Sequence, residues 1–335
     1  MLHIPDGSIK LANPAIEPLP RGANFIRAKA LWELALDIAG DPSIPYGGDR
    51  DVRVSVGSGG GASWKPALSF ATGSAIMAHD VAAGNVDVAF VNPSALLTQA
   101  YRGTGLFDRS LDLRVLWVYP SWDSFAMVIH PRHQVRCVRD IAERKIPLRM
   151  SVREDPTHST LVLIDQLFRY DGFSIEDVLS WGGEIVPTGS PYGTSRMHGI
   201  ADGTVDALFD EALVAWFDFA LEHGYQLLEF TPGSLDAMVD VGWRKMTIQP
   251  GQYQQLARPY DCLDFSGWPL YCRADLDEKH VIDVCKAVVA REKQIPWTAG
   301  DYKTISQVFH ECEEAPRDVP LHPGVEIFLK EHFHV

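Results

Sequence analysis

The chain has 335 residues, 46% of them apolar and 22% charged, which is the composition of a globular protein with room for two domains. Its formal charge of −14 and its pI near 5.2 argue against non-specific binding to nucleic acid or to an anionic membrane surface. The five cysteines are odd in number and include no Cys-x-x-Cys pair, so neither a disulfide framework nor a zinc ribbon is indicated, and we predict reduced thiols.

The first 50 residues predict a surface segment followed by one amphipathic helix. Residues 1 to 22 are rich in Pro and Gly, whereas Asn24 to Ala39 places apolar side chains near the helical period. No secretory signal is recognisable here, and no apolar run approaches the roughly 18 residues that a membrane span needs. We expect a cytoplasmic protein as the sequence is written, or a periplasmic one if a signal has been removed.

A glycine-rich stretch follows the first predicted strand. Val52 to Val56 alternates as a strand, leads into Gly57 to Gly61, and is followed after Pro66 by a predicted helix. The backbone N–H groups of a loop between strand and helix point at an anion. The spacing fits no nucleotide-binding motif, so we predict ligand contacts without a nucleotide site. The candidate ligand-binding residues here are Ser58, Gly60, Ser63 and Trp64.

A short repeat organises the middle of the chain. Gly84-Asn-Val-Asp-Val-Ala-Phe90 returns as Gly203-Thr-Val-Asp-Ala-Leu-Phe209, 119 residues later (203 minus 84). Each copy follows a helical run and leads into a short apolar strand. A separation of 119 residues is too long for a solenoid repeat, so the two copies favour two similar α/β lobes. The strands end at Asn92-Pro93-Ser94 and at Asp210-Glu211. Because ligands of open α/β sheets bind at the carboxyl ends of strands, we expect these two groups to face each other.

The order of the predicted elements divides the chain into lobes. Buried strands are predicted at Leu113 to Tyr119 and Ser124 to Ile129, and a strand, a polar loop and a helix follow at 148 to 170. We predict a first lobe at 1–120, a second lobe at 121–245, and a return to the first lobe over 246–335. Two crossovers between the lobes make a hinge.

The chain resembles the TAXI group of TRAP-transporter solute receptors, which have the type II periplasmic-binding-protein fold. The resemblance runs from about Val52 to Ile295. It rests on the order and spacing of five stretches: Gly57 to Gly61, Ala82 to Asp87, Ala100 to Phe107 followed by Leu113-Arg-Val, Ala201 to Ala207, and Ile248 to Tyr253. It implies an α/β fold of two lobes that close on a small organic acid or amino acid.

Three departures from that family leave an enzyme as the alternative. About 50 residues, including a helix, precede the first strand, Asp155 to Thr160 replaces a small Gly-Ser-rich loop, and Asp210-Glu211 follows the second copy of the repeat. The same fold includes cytoplasmic enzymes that act on small carboxylates, among them dihydroxyphthalate decarboxylases, chorismate dehydratase and thiamin-pyrimidine synthase. Fold alone does not choose between binder and enzyme.

Several polar and aromatic residues are candidates for ligand contact in loops near the strand ends. His158 either donates to a bound carboxylate, acts as general acid or base, or only caps a helix. Arg196 fits a carboxylate bidentately, with Arg153 as its substitute. The candidate ligand-binding residues outside the glycine stretch are Asn92, Ser94, Trp122, Thr157, Ser159, Thr160, Ser190, Tyr192 and Arg196.

Two functions from different classes remain. The first is a solute-binding protein for a small carboxylate, with an aromatic carboxylate as one candidate. Its partners are its ligand and, if it is exported, TRAP membrane subunits. A homo-oligomer is a further alternative. The second is a cytoplasmic lyase, most plausibly a decarboxylase, in which His158, Glu211 and Asp210 are the candidate catalytic residues. No resident metal or cofactor is predicted, because the histidine pairs lack a third ligand at the spacing a metal needs.

Overall fold

The computed structural model describes residues 31, 34, 53–58, 65–72, 75–119, 121–153, 158–188, 191–294, 305, 307–310, 316 and 318–333. Nearly all of the predicted N-terminal helix lies outside these residues. So do five of the candidate ligand-binding residues: Gly60, Ser63, Trp64, Thr157 and Ser190.

Strands and helices are interspersed along the described chain. The strands are β1 Arg53–Ser58, β2 Lys65–Ala71, β3 Val88–Phe90, β4 Leu113–Tyr119, β5 Ser124–Ile129, β6 Arg149–Arg153, β7 Glu184–Thr188, β8 Ala207–Asp210, β9 Gln226–Leu227, β10 Arg244–Ile248, β11 Tyr260–Asp264 and β12 Trp268–Arg273. The α-helices are α1 Met77–Ala82, α2 Ser94–Arg102, α3 Val138–Arg144, α4 Ser159–Tyr170, α5 Ile175–Ser180, α6 Thr194–Ala201, α7 Phe217–Glu222, α8 Ser234–Val241, α9 Glu278–Ala290, α10 Gln307–His310 and α11 Pro323–His332.

The chain forms two compact units. Unit 1 comprises residues 1–101, 110–121 and 267–335, and unit 2 comprises residues 102–109 and 122–266. Each unit has its own mixed sheet with helices, so the predicted fold class, α/β with two lobes of the type II binding-protein kind, is confirmed. No helix in the described part of the chain combines the length and apolarity needed to cross a membrane.

Unit 1 is built on a five-stranded sheet in the order β1-β2-β3-β12-β4. Strand β2 runs parallel to β3, and β12 runs antiparallel to both β3 and β4, so β2, β3 and β4 end at one edge. Helices α9 and α11 pack on this sheet through a core that includes Leu116, Cys272, Val281, Cys285 and Phe328. Burial of this apolar face orders the unit.

The glycine-rich stretch does not form the predicted strand, loop and helix unit. Ser58 pairs with Lys65, and β2 continues antiparallel to β1 as far as the pair Arg53↔Ala71. Residues 65–71 are therefore a strand, because β1 supplies their hydrogen-bonding partner. Since β2 is parallel to β3, Ser58 lies at the sheet edge opposite to the one where β3 ends and Asn92 follows.

Unit 2 is built on seven strands in the order β10-β11-β5-β8-β6-β7, with β9 paired to β5. Strands β6, β7 and β8 are mutually parallel, whereas β5 runs antiparallel to β8. Strands β10 and β11 extend this sheet, so the chain returns to unit 1 at Gly267, 21 residues after the predicted return (267 minus 246).

The repeat around Gly84 and Gly203 has a structural reason. Both glycines are in the left-handed region, with φ of 76° and 70°, where they end α1 and α6. Three residues later Asp87 accepts the backbone N–H of Ser69 at 2.8 Å, and Asp206 accepts that of Arg149 at 2.9 Å. Each carboxylate thus joins the start of its own strand to a neighbouring parallel strand.

Candidate functional site

The carboxyl-end edge of the unit 2 sheet gathers most of the predicted polar residues of that unit. Arg153 ends β6 and Asp210 ends β8, and these two strands are neighbours. The chain leaves β6 towards β7 on one side and leaves β8 towards β9 on the other, which makes this a topological switch point. Open α/β sheets bind ligands at such points.

A buried ion cluster occupies this switch point. The Nε of Arg153 donates to both carboxylate oxygens of Asp210 at 3.0 Å, and its Nη2 contacts Oε1 of Glu211. Arg196, on α6, places Nη1 at 2.6 Å from Oδ2 of Asp210 and donates from Nε to Oγ of Ser151 at 3.0 Å. All four charged side chains are buried. A buried cluster of this kind persists only if each charge is paired.

Asp210 is the anion that neutralises both guanidinium groups. Burial alone would raise the pKa of Asp210, but Arg196 and Arg153 outweigh it and hold that pKa below its usual value. Asp210 is therefore a structural counter-ion in this arrangement. Its predicted catalytic role stays a prediction, since both of its oxygens are engaged within the protein.

Glu211 is hydrogen-bonded to Asp123, a residue that the sequence did not single out. Burial raises the pKa of Glu211 well above its usual value and the pKa of Asp123 to about 6, and the two side chains are hydrogen-bonded to each other. Asp123 also accepts the backbone N–H groups of Ser124 at 2.7 Å and Ala212 at 3.0 Å. Those amides favour the ionised form of Asp123, so we assign the proton of this hydrogen bond to Glu211.

His158 is the N-cap of α4. Its Nδ1 accepts the backbone N–H of Thr160 at 3.2 Å and lies 2.9 Å from the hydroxyl of the same residue. An accepting Nδ1 carries no proton, so the tautomer has its proton on Nε2, which lies 4.0 Å from Oε1 of Glu211. The capping role expected as one alternative is present, and the imidazole also joins the edge of the ion cluster.

Arg196 is enclosed rather than presented to solvent. Its guanidinium carbon lies 5.8 Å from the centre of the Trp216 ring, and burial lowers the pKa of the group. Its Nη2 is buried and has no hydrogen-bond partner among the described residues. The hydroxyl of Ser124, at the start of β5, is likewise buried and unpartnered within the described chain.

The carboxyl-end edge of the unit 1 sheet holds Asn92 and Ser94, directly after β3. Ser94 begins α2, and Thr98 lies one helical turn further on. The Oδ1 of Asn92 and the hydroxyls of Ser94 and Thr98 are buried without a hydrogen-bond partner among the described residues. Buried polar atoms are nearly always hydrogen-bonded in native proteins, so three unpaired polar atoms at the start of one helix indicate a missing partner. Thr98 had not been predicted from the sequence.

The other described candidates differ in exposure. Ser159 and Thr160, at the start of α4, are buried. Tyr192, which lies just before α6, and Trp122, which lies just before β5, are both exposed. Within the described residues, no group of three or more His, Cys, Asp and Glu side chains could hold a metal ion.

The family profile that matches this chain is the NMT1-like family, over residues 67–332. The chain belongs to the NMT1-like family. A comparison with curated proteins gave no match. The family assignment is coarser than the TAXI resemblance and leaves the ligand undefined.

Solved structures similar to this NMT1-like protein are solute-binding proteins. One is the alkanesulfonate-binding protein from Xanthomonas axonopodis pv. citri bound to MOPS, 17% identical, covering 46% of each chain with a TM-score of 0.26. A second is an ABC transporter periplasmic binding protein from Brucella ovis with glutathione bound, 12% identical, covering 65% of this chain and 53% of that one with a TM-score of 0.30.

A third is the binding protein component of an ABC phosphonate transporter from Pseudomonas aeruginosa, 10% identical, covering 80% of this chain and 70% of that one with a TM-score of 0.35. The NMT1-like chain spans about half the length of the first two. With TM-scores this low, none of the three ligands can be transferred to this chain.

Proposed function

We propose that this NMT1-like protein is a solute-binding protein for a small organic acid. The observation that carries the proposal is the set of buried, unpartnered polar atoms at the carboxyl-end edge of each sheet, on Asn92, Ser94 and Thr98 in unit 1 and, separately, on Arg196 and Ser124 in unit 2. A buried hydrogen-bonding group without a partner costs about 1 to 3 kcal/mol, which a ligand recovers when it supplies that partner.

The chemistry of these atoms favours an acidic ligand. Hydroxyls at the start of α2 donate hydrogen bonds where the helix N-terminus already attracts negative charge. The start of α4, capped by His158, offers the same kind of end in unit 2. A carboxylate is the ligand group that the sequence predicts, and sulfonates and phosphonates are oxyanions of related chemistry, so all three belong in the test.

The lyase alternative requires Glu211 to transfer a proton during the reaction. Its protonated side chain would suit a general acid, but it is hydrogen-bonded to Asp123 and its Oε1 contacts Arg153. We therefore propose binding without turnover. If the protein is exported, the membrane subunits of a transporter, of TRAP type on the TAXI resemblance, would be its partners.

The test is calorimetric titration with a panel of small carboxylates, sulfonates and phosphonates, with the corresponding neutral amides as controls. We expect one class of anion to bind saturably. Replacing Ser94 by Ala or Thr98 by Val should weaken that binding by about tenfold or more, the effect of losing a hydrogen bond to a charged group. Ser180→Ala, on an exposed serine of α5, is the matched control and should bind as the wild type does.

The same incubations are analysed for product. Saturable binding with unchanged ligand supports the receptor, whereas conversion of an acid to its decarboxylated product supports the lyase. If no anion binds, or if the Ser94 and Thr98 variants bind as tightly as the Ser180 control, the proposed site is wrong.

A further inference from the structure

An open depression of about 380 Å³ lies on unit 2, lined by Trp122, Val214, Gln252 and Tyr253. A depression of this size is at the lower end of the range for small-molecule sites. No charged side chain is among its lining residues. Neither the predicted functions nor the family assignment gives it a role; of its residues only Trp122 was predicted as a ligand contact.

The depression borders the buried ion cluster. Trp122 directly precedes Asp123, whose carboxylate accepts the backbone N–H of Ala212, two residues before Val214. Tyr253 is near enough to Asp123 for that carboxylate to help raise the pKa of its phenol, after the larger effect of burial. The apolar surface and the polar switch point are thus neighbours on the same edge of unit 2.

The exposure of its walls is unusual for apolar side chains. Trp122 is 38% exposed and Val214 is 75% exposed, although both flank buried segments. Tyr253, which also lines the depression, packs edge-on against Phe217 with ring centroids 5.2 Å apart, and Phe217 packs likewise on Trp216 at 5.7 Å. These edge-to-face contacts hold the Tyr253 ring in place.

A planar apolar group fits this surface better than a charged one. An indole face and a valine side chain gain free energy when a ring covers them, at roughly 25 cal/mol per Å² of apolar area removed from water. A carboxylate placed here would lose hydration and meet no cation among the lining residues.

We propose that this depression, the Trp122 subsite, binds the aromatic body of a small organic acid whose acidic group is held at the adjoining carboxyl-end edge of unit 2. This proposal specifies the class of ligand for the proposed function, and it rests on that function. Trp122 and Val214 then determine specificity, selecting an aryl acid over a short aliphatic one.

The test compares three probes on the full chain: phenylacetate, acetate and benzyl alcohol. We expect phenylacetate to bind at least about tenfold more tightly than acetate, the gain from burying a phenyl ring. Trp122→Ala should remove most of that preference. Tyr170→Ala is the matched control, because Tyr170 is 39% exposed and lies at the far end of α4. Val214→Ser, at a more exposed position, provides a second variant whose folding is safe.

The outcomes separate the subsite from the proposed function. Equal binding of phenylacetate and acetate, or an unchanged preference in both the Trp122 and Val214 variants, overturns the subsite and leaves the anion site standing. Binding of benzyl alcohol that depends on Trp122, with no binding of either acid, supports the subsite and rejects the proposed function. If none of the probes binds, both are rejected.

Discussion

Asp210 is the residue on which two buried cations depend. Arg153 and Arg196 both pair with its carboxylate, and Arg196 is fully enclosed. A buried ion pair adds little net stability over an apolar substitute, but removing one partner leaves an uncompensated charge. The cluster therefore secures the ends of β6, β8 and α6 while remaining sensitive to any single loss.

Replacing Asp210 by Ala should lower the free energy of unfolding by about 3 to 5 kcal/mol, because two guanidinium groups then lose their counter-ion inside the protein. Urea denaturation followed by circular dichroism measures this. Asp165→Ala breaks an exposed pair with Arg169 one helical turn away and serves as the comparison. Equal effects of the two substitutions would mean that the buried cluster is not an interdependent unit.

Asp123 should give stability a pH dependence of its own. Its pKa is raised to about 6 by burial, so the folded state binds more protons than the unfolded state between about pH 4 and pH 6. The contribution of Asp123 to wild-type stability therefore falls as pH rises through this window. Asp123→Asn should become more stable relative to wild type by about 2 to 3 kcal/mol from pH 4 to pH 7.

Asp206 should give stability the opposite pH dependence, and it therefore serves as the control. Although burial would raise its pKa, hydrogen bonds from Arg149 and His133 dominate and lower it. Its contribution is present above about pH 4 and disappears as the solution becomes more acidic. Asp206→Asn should therefore lose stability relative to wild type as pH rises from about 2 to about 5. Parallel profiles for the two variants, measured by urea denaturation, would contradict both assignments.

Sequence reasoning found the polar residues at the strand ends but not their pairing. His158, Asp210, Glu211 and Arg196 were named from their places after strands and before helices. Asp123 was missed because its partner Ala212 lies 89 residues away, and no local pattern marks such a contact. Thr98 was missed because a threonine inside a helix carries no signal until its burial is known.

At the scale of the element, Gly84 and Gly203 carry the same structural unit in both halves of the chain. Each ends a helix in the left-handed region, and each precedes an aspartate that binds a neighbouring strand. A Cβ at either position would have space, with its nearest neighbours 3.9 and 3.7 Å away, so only the backbone conformation resists substitution.

Gly84→Ala and Gly203→Ala should each destabilise the protein by about 1 to 2 kcal/mol, the cost of a left-handed conformation for a residue with a Cβ. Asn tolerates this conformation better, so Gly84→Asn and Gly203→Asn should lose less. Urea denaturation of the four variants gives the comparison. Alanine and asparagine variants of equal stability would show that φ is not the reason for the glycine.

The glycine-rich stretch shows where local patterns mislead. Residues 65–71, Lys-Pro-Ala-Leu-Ser-Phe-Ala, contain no strict alternation, and a strand followed by glycines suggests a strand-to-helix loop. Pairing with β1 makes them a strand instead. By contrast β4 and β5 match their predicted bounds, because apolar side chains fill nearly all of both stretches.

At the scale of the whole molecule, unit 2 is nearly continuous in sequence whereas unit 1 is assembled from three segments. All strands of the unit 2 sheet lie between residues 124 and 264. Its core is closed by Tyr260, which is fully buried, donates to the carbonyl of Leu228 at 2.8 Å and accepts the N–H of Met127 at 3.3 Å. The position where the chain leaves this unit therefore decides whether the unit is complete.

We expect a fragment of residues 122–266 to fold alone with a cooperative urea transition, since of unit 2 it lacks only residues 102–109, among whose contacts is that of Thr104 with Val241. A fragment of residues 122–245, the second lobe as predicted from sequence, lacks β11 and Tyr260. Its β5 then presents an unpaired edge at Ser124 and Phe125, so it should aggregate or show no cooperative transition. Circular dichroism and size-exclusion chromatography of the two fragments decide between the boundaries. A cooperative, monomeric 122–245 fragment would show that β10 and β11 are dispensable to unit 2.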